Sequence, residues 1–398
     1  MSRMMASISS ARSASPPILR RTASRLAGGR AWDIGDTRIG FTFSAGFSNE
    51  WRTKEGLQQL SGGQAIGPGG TPILIADQDF NFVSTEQHTI LNGLFAVGAE
   101  FGEHQIRFTN LYVNDTIKEV RVQAGVDDIN VGRDVLLQRN ATAFFRRQLI
   151  DTQVVGEFKF DNLSVDVRGT YANSKRLAPY ERFNNYAFSA AANDFINDLR
   201  SPGQSSLVAF SRLNEDVYGA GADLGYKIEN GPFPIRLTAG YAFTQASRES
   251  ERFDYRYQSN AALPLSVAQQ RPDFLLSDFN VYTYGIILNT ISTVAPRYLA
   301  DLTVHAGYAQ VEIEPADGVQ FVAGIRYESG RQNVTPVDVF NANPGSSFNL
   351  PTNINEDYWL PSATLTWNFA EDMQLRFAAS KTIARPQFRE LAPQPYFD

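Results

Sequence analysis

The chain has 398 residues, a net charge of -6 and no cysteine, with a mean hydropathy of -0.27. No window approaches the roughly eighteen consecutive apolar residues of a membrane-spanning helix. The missing cysteines exclude disulfides, thiol chemistry and cysteine zinc sites, and the acidic balance argues against nucleic acid as a partner. What remains is a set of soluble domains or one large barrel, whose polar interior and loops would dilute the average hydropathy.

Residues 1–30 contain no acidic residue, are rich in Arg and Ser, and lack the apolar core of a secretory leader. Disorder is expected there, with at most a short helix near Ile18 to Leu26. An organellar transit peptide would have this composition, as would unrelated sequence read from a misplaced start, and the chain that follows favours the second.

From Trp32 onward a period of two takes over. Ile39, Phe41, Phe43, Ala45 and Phe47 share one face, against Arg38, Gly40, Thr42, Ser44 and Gly46. A long loop with the patch Gly62 to Gly70 leads to Leu91, Phe95, Val97, Ala99 and Phe101. After a turn at Gly102-Glu103, a return strand runs from about Gln105 to Val113. A charged loop is expected over 114–139. A long strand over 140–160 follows, its phase slipping near Gln148–Asp151, which predicts a bulge. Leu163, Val165, Val167 and Tyr171 alternate with Ser164, Asp166, Arg168 and Thr170 in the cleanest pattern of the chain. Loop 176–214 is expected to hold a short helix near Ala190 to Leu199. The strand at 216–229 turns Tyr218, Ala220, Ala222, Leu224 and Tyr226 outward; the next turns Ile235, Leu237, Ala239, Tyr241 and Phe243 outward. Loop 251–297 is long and aromatic. Strands at 299–314 and 319–329 flank Pro315 to Gly318, and loop 332–356 leads to the last hairpin, Asp357 to Arg385.

In that hairpin Trp359, Ala363, Leu365, Trp367 and Phe369 oppose Tyr358, Leu360, Ser362, Thr364 and Asn368. Runs of about ten residues with aromatic ends have the dimensions of strands crossing an outer membrane; a soluble sandwich strand is nearer five or six. Short turns alternate with long loops, as in an antiparallel transmembrane β-barrel with tight periplasmic turns and long extracellular loops. Phe101, Phe160, Tyr226, Trp367 and Phe369 form a girdle on the turn side; Phe47, Tyr171, Phe243, Tyr327 and Trp359 form one on the loop side. The count is roughly eleven spanning strands. Because single-chain bacterial barrels have an even number, the chain over 31–398 reads as an incomplete barrel, a fragment.

Gly219 to Gly225 approximates a dinucleotide fingerprint but lies mid-strand, where lumen-facing glycines explain it better. The Gly62 to Gly70 patch lacks the ending of a phosphate loop. His88, His104 and His305 show no metal-ligand spacing, and His305 is expected on the polar, lumen face. The carboxylate pairs fall mostly in loops or turns, and no Ser–His or Asp–His constellation nominates an enzyme. No cofactor or metal is expected.

The closing run ASKTIARPQFRELAPQPYFD, Ala379 to Asp398, resembles a mid-barrel segment of TonB-dependent outer-membrane receptors: Ala384-Arg385-Pro386, Phe388, Glu390-Leu391 and Pro393 carry the match. Phe43 to Gly56 resembles an earlier strand and loop of the same family. The resemblance implies a plug inside a barrel of about 22 strands, coupled to the TonB energising complex and importing a siderophore or an oligosaccharide through the outer membrane. The chain departs in showing no signal peptide, no plug or TonB box ahead of the first strand, and no second half of the barrel. Outer-membrane lipid would contact its apolar faces. The lumen path implied by the resemblance is lined by Arg168, Asp223, Arg236, Arg326 and Arg376. Ligand contact is expected from Tyr255, Arg256, Tyr257 and Arg271 with Phe274 and Phe279. Arg385 has two readings: an anchor pairing with loop carboxylates beside the strand-ending Pro386, or a hold on an anionic ligand. The alternative functions are a plugless passive porin or adhesion barrel, and a soluble β-sandwich or propeller.

Overall fold

A computed structural model describes residues 20–66, 70, 72–201, 203–291, 295–340 and 350–392. Twelve long strands pair antiparallel in chain order: β1 (Arg20–Ile34), β2 (Thr37–Ile66), β3 (Pro72–Phe101), β4 (His104–Asp127), β5 (Gly132–Phe160), β6 (Leu163–Ser189), β8 (Ser206–Ile228), β9 (Ile235–Gln258), β11 (Arg297–Ala316), β12 (Val319–Val337), β13 (Thr352–Ala370) and β14 (Met373–Ser380). The short β7 (Asp194–Ile196) pairs with β6, and β10 (Ile287–Thr290) with β9. Helices α1 (Leu265–Ala268), α2 (Pro272–Leu275) and α3 (Asp278–Tyr284) lie between β9 and β10, and α4 (Phe388–Leu391) follows β14. Among the described residues the sheet is an incomplete transmembrane barrel: it does not close, and β1 and β14 each pair along one edge.

Cross-strand register carries the alternation from strand to strand, because directly opposed residues point to the same face. Val167 opposes Ala222, which opposes Tyr241, then Gly307, Tyr327 and Trp359. This row lies on the outward face. Leu224, Tyr241 and Trp359 are 53%, 49% and 60% exposed, so no second protein layer covers them. A face this apolar and this open is the surface expected against lipid. On the turn side, the His104 ring lies 5.3 Å from Phe101 and 4.9 Å from Phe160. On the loop side, Tyr171 meets Tyr218 at 5.1 Å and Tyr327 meets Trp359 at 4.8 Å. His305 belongs to this second girdle, not to the lumen: it opposes Phe243, and its Nδ1 lies 2.7 Å from the Tyr241 hydroxyl.

Past that girdle the outward face turns polar. Tyr171 donates to Asp216 at 2.9 Å, Arg212 pairs with Glu251 at 3.0 Å and Arg297 with Glu249 at 2.8 Å. The strands continue well beyond this boundary. β2 has 30 residues, roughly 100 Å of strand against an apolar band about 25 Å tall. Much of what the sequence suggests as loop is therefore sheet. β4 runs to Asp127 and β5 restarts at Gly132, inside the expected loop over 114–139. The expected helix near Ala190 to Leu199 is instead β7 and irregular chain. The bulge lies in β6: Phe144 opposes Tyr180 and Arg146 opposes Leu177, one residue more on β6 than on β5.

The expected disorder over residues 1–30 is corrected for 20–30, which belong to β1. Its ladder with β2 is continuous from Arg20↔Trp51 to Ile34↔Thr37. Backbone pairing to β2 supplies what the Arg- and Ser-rich side chains do not advertise. Residues 1–19, part of the Gly62 to Gly70 patch and Pro393 onward lie outside the described residues. With β1 included the ladder has twelve long strands among the described residues rather than eleven.

Replacing outward Val167 with Arg should cost about 2–4 kcal/mol of stability in a bilayer, against less than about 1 kcal/mol for inward Thr170→Arg. Urea unfolding in lipid vesicles reads the difference, and equal costs would contradict the assignment of faces.

Candidate functional site

The inward face is a wall of charged side chains that cross-link strands. Arg168 on β6 pairs with Asp223 on β8. Asp223 also accepts from the Tyr308 hydroxyl of β11 at 2.8 Å. Asp223 and Tyr308 are two strands apart and meet because Gly240 of β9 stands between them: both oppose it, and a Cβ there would collide with each. Gly221 likewise makes room for the Arg168 guanidinium, whose Nε lies 2.8 Å from where a Cβ would sit. Arg236 opposes Glu312, and Gln320 donates to Glu312 at 2.6 Å. Arg326 pairs with Glu328 at 2.8 Å, and Arg376 donates to Gln374 at 3.3 Å. The five residues read from the sequence as lumen-lining therefore share this one face.

The wall continues above the membrane, largely with residues from the expected loops. Arg252 bridges Glu181 at 2.9 Å and Asp254 at 3.0 Å. Arg248 pairs with Glu215 at 2.8 Å, and Arg176 donates to Ser211 at 2.7 Å. His88 lies 2.5 Å from Asp115, with Arg147 3.6 Å from the same carboxylate. No alternation of charge marks them in the sequence, since Arg248, Glu249, Glu251, Arg252 and Asp254 put charge on both phases of β9, and only pairing with the neighbouring strands places them.

At the mouth, α1 to α3 fold over the outward side of β6, β8 and β9. Leu199, Leu263, Val267, Leu275 and Ile286 form a small core against which Tyr257 packs. Tyr186 donates to the Gln270 carbonyl at 2.9 Å, and burial pushes its phenol above the usual tyrosine range. Tyr255 meets Phe210 edge-on at 6.1 Å. Arg271 pairs with Asp273 at 2.9 Å, and that hydrogen bond holds the Asp273 carboxyl low. Arg256 is exposed on the opposite, inward face. The ring of Tyr257 is thus part of the cap's packing, while Phe274 and Phe279 remain exposed on it. Arg385 stands apart from all of these, paired with Glu328 at 2.9 Å. Among the described residues, no group of three or more acidic or His side chains is arranged to hold a metal ion.

The family description "TonB dependent receptor-like, beta-barrel" matches residues 103–398. The chain belongs to this family. No curated protein matches it. Among solved structures it is similar to the siderophore receptor PiuA from Acinetobacter baumannii, at 10% identity and a TM-score of 0.37, over 81% of this chain and 52% of that one. It is also similar to the copper transporter OprC, at 9% identity and a TM-score of 0.24, over 92% of this chain and 61% of that one. The chain thus spans between about half and three fifths of those proteins.

The tip of this receptor-family sheet, where β3, β4 and β5 end, has its own anchor. Asp127 is fully buried and accepts from Gln78, Asn130 and Arg139. The Arg139 guanidinium covers the Phe80 ring at 4.2 Å, beside Leu137 and Ala187. Burial alone would raise the Asp127 carboxyl, but the hydrogen bonds from Asn130, Arg139 and Gln78 outweigh it and hold the group below its usual value. A carboxyl lowered on folding stabilises the tip above its unfolded pKa, and that stability is lost as pH falls through the folded value.

At pH 7, Asp127→Asn should weaken amide-exchange protection at the ends of β3 to β5 by about 3 kcal/mol, since it strands Arg139 without its charge partner. In acid, below the lowered value of Asp127, variant and parent should converge; a gap that persists there would contradict the ionised pair. In the wall, Gly240→Ala should destabilise by about 1–3 kcal/mol through overpacking. Gly219→Ala is the control, because its Cβ would meet only ordinary contacts, the nearest at 3.7 Å.

Proposed function

We propose that the chain is the barrel part of an outer-membrane transporter that imports a scarce nutrient, a siderophore or a carbohydrate, with energy delivered through TonB. The observation that carries this reading is the family match over residues 103–398, joined to a strand sheet whose inward face carries ion pairs such as Arg168–Asp223 and Arg326–Glu328. Solute would move along the wall formed by Arg168, Asp223, Arg236, Arg326 and Arg376. At the mouth, Arg256 would meet an anionic ligand on the inward side, and Arg271, Phe274 and Phe279 would offer charge and exposed rings on the cap. Tyr257 acts by holding the cap, and Tyr255 by packing on Phe210 of β8. Arg385 serves as an anchor in this reading, since its charge is engaged by Glu328.

Uptake of radiolabelled ferric siderophores and of oligosaccharides by cells with and without the gene, each in the presence and absence of TonB, tests the proposal. One of these ligand classes should accumulate only when both gene and TonB are present. Uptake that needs the gene but is indifferent to TonB would replace the proposal with a passive porin.

A further inference from the structure

β14 leaves the sheet early. It ends at Ser380, opposite Ser362, while β13 continues for ten residues from Pro361 back to Thr352. The chain that follows does not run upward with its neighbour. It turns inward, with the Lys381 N–H donating to the Pro361 carbonyl at 3.0 Å, and crosses to the inward faces of β12, β11 and β9. Arg385 reaches Glu328, in space left by Gly330, where a Cβ would lie 2.8 Å from the guanidinium. Gln332 donates to the Pro386 carbonyl at 2.8 Å. One turn later Phe388 is buried against Ala246, Tyr298, Ala300 and Val334, with the Arg248 guanidinium 5.1 Å from its ring. Arg248, Ala300 and Val334 form one cross-strand row, and Ala246 and Tyr298 belong to the rows on either side of it, so the ring is centred on one rung and reaches both of its neighbours. The short helix is fixed by reciprocal caps between Gln387 and Glu390. The footprint is visible on β12, where Glu328, Gly330, Gln332, Val334 and Pro336 are all buried while outward Arg331 is exposed.

We propose that residues 381–392 are a latch closed over the upper inward wall, seated by Phe388 and held in register by the Arg385–Glu328 pair. Closed, the latch masks Glu328, Gln332 and Arg248 from the lumen side. Beyond the Lys381 bond to Pro361 it is held by one buried ring, one ion pair, the Gln332 hydrogen bond and a single helical turn, with no strand pairing along 382–387. A cover of that kind lifts as a unit when either contact is lost. The latch stands whether or not the transport reading above is correct.

The chain has no cysteine, so a single introduced thiol reports accessibility directly. Val334→Cys, beneath the latch, is treated with a membrane-impermeant maleimide on intact cells, with Phe279→Cys, 73% exposed, as the open reference. Heat-modifiable gel mobility verifies that each variant is folded, and Ala300→Cys serves as a second reporter should Val334→Cys fail that check. Labelling at Val334→Cys should be at least tenfold slower than at the reference, and Phe388→Ala or Glu328→Gln should each raise it several-fold. Labelling as fast as the reference in the otherwise unaltered chain would overturn the latch. So would protection that neither second substitution relieves.

Discussion

Backbone hydrogen bonding in hydrocarbon governs everything else in this molecule. A peptide group facing lipid has no water to bond, and each one left unpaired costs several kcal/mol. A meander in which every strand lies beside its sequence neighbour satisfies that demand with tight turns, and those turns need special backbone. Gly102 takes a left-handed φ of 60° after β3, and Asp161 takes 50° after β5, a conformation that Asp tolerates better than most side chains. Pairing at fixed register then dictates which side chains meet lipid. Even β1, poor in apolar residues, obeys the ladder: its outward Arg30 lies 5.5 Å over the Trp32 ring, near the turn, where a long cationic chain can reach an interface.

The same ladder organises the inward face. Residues that would be strangers in sequence, such as Arg168, Asp223 and Tyr308, are brought together by register and by the absence of a side chain at Gly240. Gly221 and Gly240 are thus spaces that charged neighbours occupy, and the run Gly219 to Gly225, lying within β8, has no need of a nucleotide to explain it. Outward and inward faces change character at different heights. The outward face becomes polar just above Tyr171 and Tyr218, whereas the inward face carries ion pairs both below that height, as in Arg168–Asp223, and above it, as in Arg252–Glu181.

The spanning segments were legible in the sequence because lipid on one side and water on the other impose alternation. Where that asymmetry ends, so does the signal. Above the membrane no lipid meets the outward face, so nothing forces alternate residues apart in polarity, and the upper halves of β2 to β6 resemble loops until the partner strand is known. β1 was illegible for a related reason, since its side chains are exposed on both faces. His305 misled because histidine is polar by type yet here closes an aromatic row with Tyr241 and Phe243. The site was half legible: charge on the polar phase identified Arg168, Asp223, Arg236, Arg326 and Arg376. Cross-links such as Glu181–Arg252 depend on register between strands 71 residues apart in sequence, and the burial of Phe388 depends on where the chain goes after β14.

Cysteine scanning along β6, from Leu163 to Tyr171 in the otherwise cysteine-free chain, tests the central claim most directly. Each thiol is offered a water-soluble and a lipid-soluble reagent in the native membrane. Positions 163, 165 and 167 should react only with the lipid-soluble reagent, and 164, 166, 168 and 170 with the water-soluble one. Reactivity without a period of two, or protection of the apolar positions from both reagents, would mean that these side chains do not face lipid.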